Sequence, residues 1–65
     1  MVKMREARKA KHMTQKELAK ASNVSFVSIC RYEKGIRIPS VPIAKRIAEA
    51  LDYDWTAFYQ DKPAH

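Results

Sequence analysis

The side chains able to do chemistry in this sequence are few, and most of them are cations. The 65-residue chain carries 13 Lys and Arg against 7 Asp and Glu, a formal net charge of +6, which suits a polyanionic partner such as nucleic acid or an acidic membrane surface. Nucleophiles and metal ligands are sparse. Cys30 is the one cysteine, and His12 and His65 stand apart without metal-ligand spacing to a partner. No glycine-rich loop is present to cradle a nucleotide phosphate. The expectation is therefore a binding protein with no catalytic residue, no metal and no cofactor, because so short a chain cannot bury both a core and a roomy substrate cavity. A single cysteine forms no internal disulfide, the amino-terminal residues hold no apolar signal-peptide run, and no apolar stretch approaches the roughly 20 residues of a membrane span. These features lead us to expect a soluble, cytoplasmic protein without membrane contact.

Between positions 25 and 37 the residue types also suit the reading of base-pair edges. The Arg31 guanidinium is a planar fork that matches guanine O6 and N7, or a phosphate, although it can also simply solvate the helix face. Phe26 and Val27 are adjacent, so they cannot both face one core; thymine methyls are a natural partner for an outward one, and a half-buried core role is the other reading. Lys34 and Arg37 suit backbone or minor-groove contacts, which place a protein without reading sequence, although Lys34 can also simply neutralise a helix end.

Five short helices, all-α, are needed to position these groups. The first spans roughly Lys3 to Lys11, with Met4 and Ala7 inward. Thr14 followed by Glu17 is a capping box that starts the second, which carries Leu18 and Ala19 inward and ends near Ala21, where Ser22 and Asn23 favour a turn. Ser25 can cap the third, which runs to about Lys34 with Gly35 placed to end it. After an extended basic link from Ile36 to Pro39, Ser40 can cap a fourth helix with Pro42 in its first turn and Ile43, Ile47 and Leu51 along one face. Asp54 can cap a last short helix bearing Trp55, Phe58 and Tyr59, with Trp55 read as core. The expected domain covers 1–60, with a flexible tail at 61–65.

The second and third helices meet the demands of a tight helix pair: Ala19 permits close approach, Asn23 tolerates the left-handed turn, and Leu18, Val24, Ile29 and Tyr32 form a seam. Such a pair can seat its second helix in a major groove. With Ile29 taken as inward at about 100° per residue, Val27, Arg31 and Lys34 point away from the core.

At this point the sequence resembles the Cro and phage-repressor (Xre) helix-turn-helix family. The resemblance rests on Met4-Arg5-Glu6-Ala7-Arg8-Lys9, Met13-Thr14-Gln15-Lys16-Glu17-Leu18-Ala19, Val24-Ser25, Ser28-Ile29, Arg31-Tyr32-Glu33-Lys34-Gly35, Pro39-Ser40 and Ile47-Ala48-Glu49-Ala50-Leu51. The family usually has glycine where this chain has His12 and Asn23, and an apolar residue at Ser22. The resemblance implies a lambda-repressor-like bundle with its helix-turn-helix at about 14–34, whose third helix enters the major groove while the second lies across the backbone. It puts Gln15 on a phosphate, Ser25, Phe26, Val27 and Ser28 at the first turn facing base edges, and Arg8 and Glu33 in a structural ion pair.

The function expected is a sequence-specific regulator of transcription that binds double-stranded DNA, with repression the expected sign. Two recognition helices about 34 Å apart would read successive grooves of a palindromic operator, so a homodimer is expected, with Phe58 and Tyr59 as candidate contacts and core packing as their other reading. An antitoxin or coactivator-like protein-interaction module using the aromatic last helix is the alternative. A basic RNA-binding or membrane-surface module is disfavoured, because the charge is spread over several helices and no aromatic stacking motif is present.

Overall fold

Capping chemistry sets most of the helix boundaries. In the computed structural model, which describes residues 1–60, four α-helices run from Val2 to Ala10 (α1), Gln15 to Ser22 (α2), Phe26 to Lys34 (α3) and Val41 to Leu51 (α4). The expected tail, 61–65, lies outside the described residues. The Thr14 hydroxyl accepts from the Glu17 N–H at 3.0 Å while the Glu17 carboxylate accepts from the Thr14 N–H at 2.7 Å, a complete capping box. Ser25 caps α3 by accepting from the Ser28 N–H at 3.1 Å. Ser40 occupies the corresponding position of α4 but makes no side-chain cap bond, and Pro42 sits in the first turn, where its missing N–H costs nothing.

Left-handed residues end the segments. Asn23 (φ 56°) closes α2 and Gly35 (φ 77°) closes α3, as their types lead one to expect. His12 (φ 56°) and Asp52 (φ 54°) adopt the same conformation. The His12 value explains why a glycine suits that position: a side chain there meets steric cost that glycine escapes.

The helices enclose one core. Met4, Leu18, Ile29, Ile47 and Phe58 are fully buried, and Ala7, Ala19, Ala44, Ala48 and Leu51 close the gaps between them. On α4 the inward stripe is Ala44, Ile47, Ala48 and Leu51, while Ile43 is half-buried beside it. Helix α2 packs on both α3 and α4, and α1 closes the bundle against α3 and α4. Ser22, at a position where the resemblance leads one to expect an apolar residue, is buried, and its hydroxyl donates to the Leu18 carbonyl at 2.7 Å. That bond satisfies the hydroxyl inside the helix itself and makes a serine tolerable there.

Two expectations about the last segment are corrected. Trp55–Gln60 is a 3-10 helix and not a further α-helix, consistent with so short a piece whose stability comes from docking. Asp54 still organises its start, accepting from the Thr56 N–H at 3.0 Å. Within it, Phe58 is the core residue, at 1 % exposure, and its ring stacks on Tyr53 with centroids 5.5 Å apart. Trp55 is only half-buried, edge-on to Tyr59 and covered by the Lys45 ammonium 5.2 Å from its ring.

Candidate nucleic-acid interface

One side of α3 is core and the other is free. Ile29 is completely buried, whereas Phe26 and Val27 are 41 % and 53 % exposed and Arg31 and Lys34 are exposed. Neither of the adjacent apolar residues at the start of α3 enters the core. Phe26 is shielded on one side by the Lys16 ammonium of α2, 5.8 Å from the ring centroid, a cation–π contact that steadies the ring without covering it. The Ser25 hydroxyl donates to Ser28 Oγ at 2.8 Å, so the Ser28 proton remains available to an acceptor outside. Arg37 is exposed on the link after α3.

The angle of α3 is held by an internal polar brace. Arg8 on α1 donates from Nε to Glu33 Oε2 at 2.7 Å and from Nη2 to Glu33 Oε1 at 3.1 Å, a two-point ion pair buried at both ends. Its third donor, Nη1, reaches the Met13 carbonyl at 2.8 Å and so fixes the α1–α2 connection as well. Glu33 Oε1 also accepts from Gln15 Nε2 at 3.1 Å, and Gln15 Oε1 in turn accepts from the Cys30 thiol at 3.3 Å. Among the described residues no buried side-chain nitrogen or oxygen lacks a partner, which is the condition under which a buried ion pair is tolerated.

The structure thus places Val27, Arg31 and Lys34 on the exposed side of α3 opposite Ile29, gathers Ser25, Phe26 and Ser28 at its amino-terminal turn on either flank of that side, leaves Arg37 exposed just beyond, and joins Arg8 to Glu33. Gln15 is placed differently from a free phosphate ligand: its amide is engaged in the brace, with one of its two N–H bonds left over. Phe58 is not available as a surface contact. Tyr59 is half-buried and its hydroxyl donates to the Pro39 carbonyl at 2.7 Å; burial, with the neighbouring Tyr32 adding to it, holds its pKa above the ordinary tyrosine value.

Arg46 is the positioning residue that sequence reasoning missed. From α4 its Nε donates to the Ser22 carbonyl at 3.2 Å and its Nη2 to the Asn23 carbonyl, clamping the turn between α2 and α3. Nothing local marks it, because the carbonyls it holds lie 23 and 24 residues away.

A family model described as helix-turn-helix matches residues 4–58. Among curated proteins, an uncharacterised HTH-type transcriptional regulator of Bacillus subtilis (strain 168), YqaF, is 40 % identical over 58 residues, covering 89 % of this chain and 76 % of that protein. No solved structure matches the chain.

Proposed function

Because this chain belongs to the helix-turn-helix family, we propose that it is a sequence-specific regulator of transcription, a repressor, that places α3 in the major groove of double-stranded DNA. The observation that carries this reading is the exposed apolar pair Phe26 and Val27 at the amino-terminal turn of α3, with Val27 on the same free side as Arg31, opposite the buried Ile29. Apolar side chains left in water at a helix start, next to a guanidinium fork, suit thymine methyls and guanine edges. Lys34 and Arg37 serve the phosphates, and the remaining Gln15 N–H serves a phosphate at the start of α2. The protein acts by occupying DNA and catalyses nothing. Two copies on a palindromic site complete the reading, with Tyr59, and not the buried Phe58, contributing to their contact.

The test begins with selection of bound duplexes from a random pool, and then titrates the selected and scrambled duplexes in rising salt. A selected palindrome, bound more tightly than the scrambled duplex at every salt concentration, is expected; equal affinity for both would end the sequence-specific reading. Replacing Arg31→Ala should relax preference at one base pair at a cost of about 1–3 kcal/mol, while Lys34→Ala should weaken all duplexes alike.

A further inference from the structure

A concavity of about 410 Å³ opens where α1 crosses the α2–α3 pair, lined by Arg5, Arg8, Lys9, Gln15, Glu33 and Lys34. We propose that this concavity holds one phosphate of the DNA backbone flanking the sequence read by α3, with Arg5 and Lys9 of α1 as its principal ligands. The proposal rests on the DNA-binding reading above and extends the interface to a helix that this reading leaves out.

Four cations surround one carboxylate in the lining, and that carboxylate is already spent: Glu33 accepts twice from Arg8 and once from Gln15. The side chains of Arg5, Lys9 and Lys34 are exposed and make no hydrogen bond or ion pair among the described residues. Arg5 and Lys9 are four apart on α1, hence neighbours on one side of it, and that side continues into the buried Arg8. The Met1 amino group donates to the Tyr32 and Glu33 carbonyls, the latter at 3.0 Å, which draws the start of α1 against the end of α3, and Arg5 and Lys34 line the same concavity. A neutralised floor rimmed by three free cations therefore attracts an anion without offering it an opposing charge. The occupant is a backbone phosphate because Lys34 lies on the free side of α3 and Gln15 stands at the amino-terminal end of α2, whose dipole favours an anion. The concavity is thus continuous with the surface that would meet DNA.

Binding of the full chain to its selected duplex, measured over a range of salt, tests this. Each phosphate contact contributes roughly 0.9 to the slope of log affinity against log salt. The double substitution Arg5→Gln with Lys9→Gln should lower the slope by about 1 and weaken specific and scrambled duplexes by the same factor, about 3- to 10-fold, since a phosphate contact carries no sequence information. Lys45→Gln, which removes a cation over Trp55 on α4, should leave the slope unchanged. Neutral methylphosphonate linkages scanned along the flanking backbone then locate the site: one position should weaken the unsubstituted chain and leave the doubly substituted one unaffected. Normal binding with an unchanged slope, a drop matched by Lys45→Gln, or linkage effects that simply add to the substitutions everywhere would each overturn the concavity while leaving the DNA reading intact. Failure of the unsubstituted chain to bind any duplex, or its preference for RNA, would overturn both.

Discussion

Glu33 stands where three demands meet. It neutralises Arg8, receives Gln15, and sits on the helix that carries the exposed Phe26, Val27 and Arg31. Removing it alone strands a buried guanidinium, so Glu33→Ala should cost roughly 3–5 kcal/mol in urea unfolding, whereas a joint Arg8→Met and Glu33→Leu exchange should recover most of that loss by replacing charge with packed apolar volume. A double exchange as damaging as the single one would mean that the pair contributes net stability. His12 makes a smaller case of the same kind. At φ 56° its side chain is strained, and relief of that strain competes with the greater chain entropy of an unfolded glycine. His12→Gly should therefore shift stability by less than about 1 kcal/mol, in the stabilising direction. At this scale much of the site is legible from residue type: Asn23 and Gly35 suit positive φ because few other residues do, and Val27, Arg31 and Lys34 face outward because Ile29 has to face in. The engagement of Gln15 by Cys30 and Glu33 is not legible, since it depends on how α2 lies against α3.

Among the elements, the two serine caps separate a bond from a preference. Ser25 accepts from the Ser28 N–H, while Ser40 makes no such bond. Ser25→Ala should lower the unfolding free energy by about 1 kcal/mol, and Ser40→Ala should stay within about 0.5 kcal/mol. Equal effects would show that the cap geometry of α3 does not matter to stability. The α2–α3 turn has a further support that helix propensity does not reveal, the Arg46 clamp from α4. Sequence periodicity places four of the five segments, since each has a cap, an inward stripe or a terminating residue of its own. It mistakes the type of the last one, where Phe58 docks a segment of six residues too short to be decided by its own hydrogen bonds.

For the whole molecule, Tyr59 ties the last segment to the link after α3 through its bond to the Pro39 carbonyl. Its raised pKa means that the folded chain keeps the phenol protonated where the unfolded chain has begun to ionise. The stability due to that difference is fully present below about pH 10 and is lost as pH rises through the higher folded value. Tyr59→Phe should flatten the alkaline limb of a stability profile measured from about pH 9 upward; an unchanged limb would assign the loss to other groups. Local rules acting on the chain alone account for helix starts, through side chains that cap their own backbone, and for helix ends, through residues that accept positive φ. They also account for an inward and an outward side of each helix, from the spacing of apolar residues, and for a basic surface, from composition. Which distant groups share those surfaces is a matter of packing. Burial of Phe58, the Arg46 clamp and the cationic concavity beside Glu33 all depend on helix crossing angles, and those angles are set by the joint packing of Met4, Leu18, Ile29 and Ile47, which no local pattern contains.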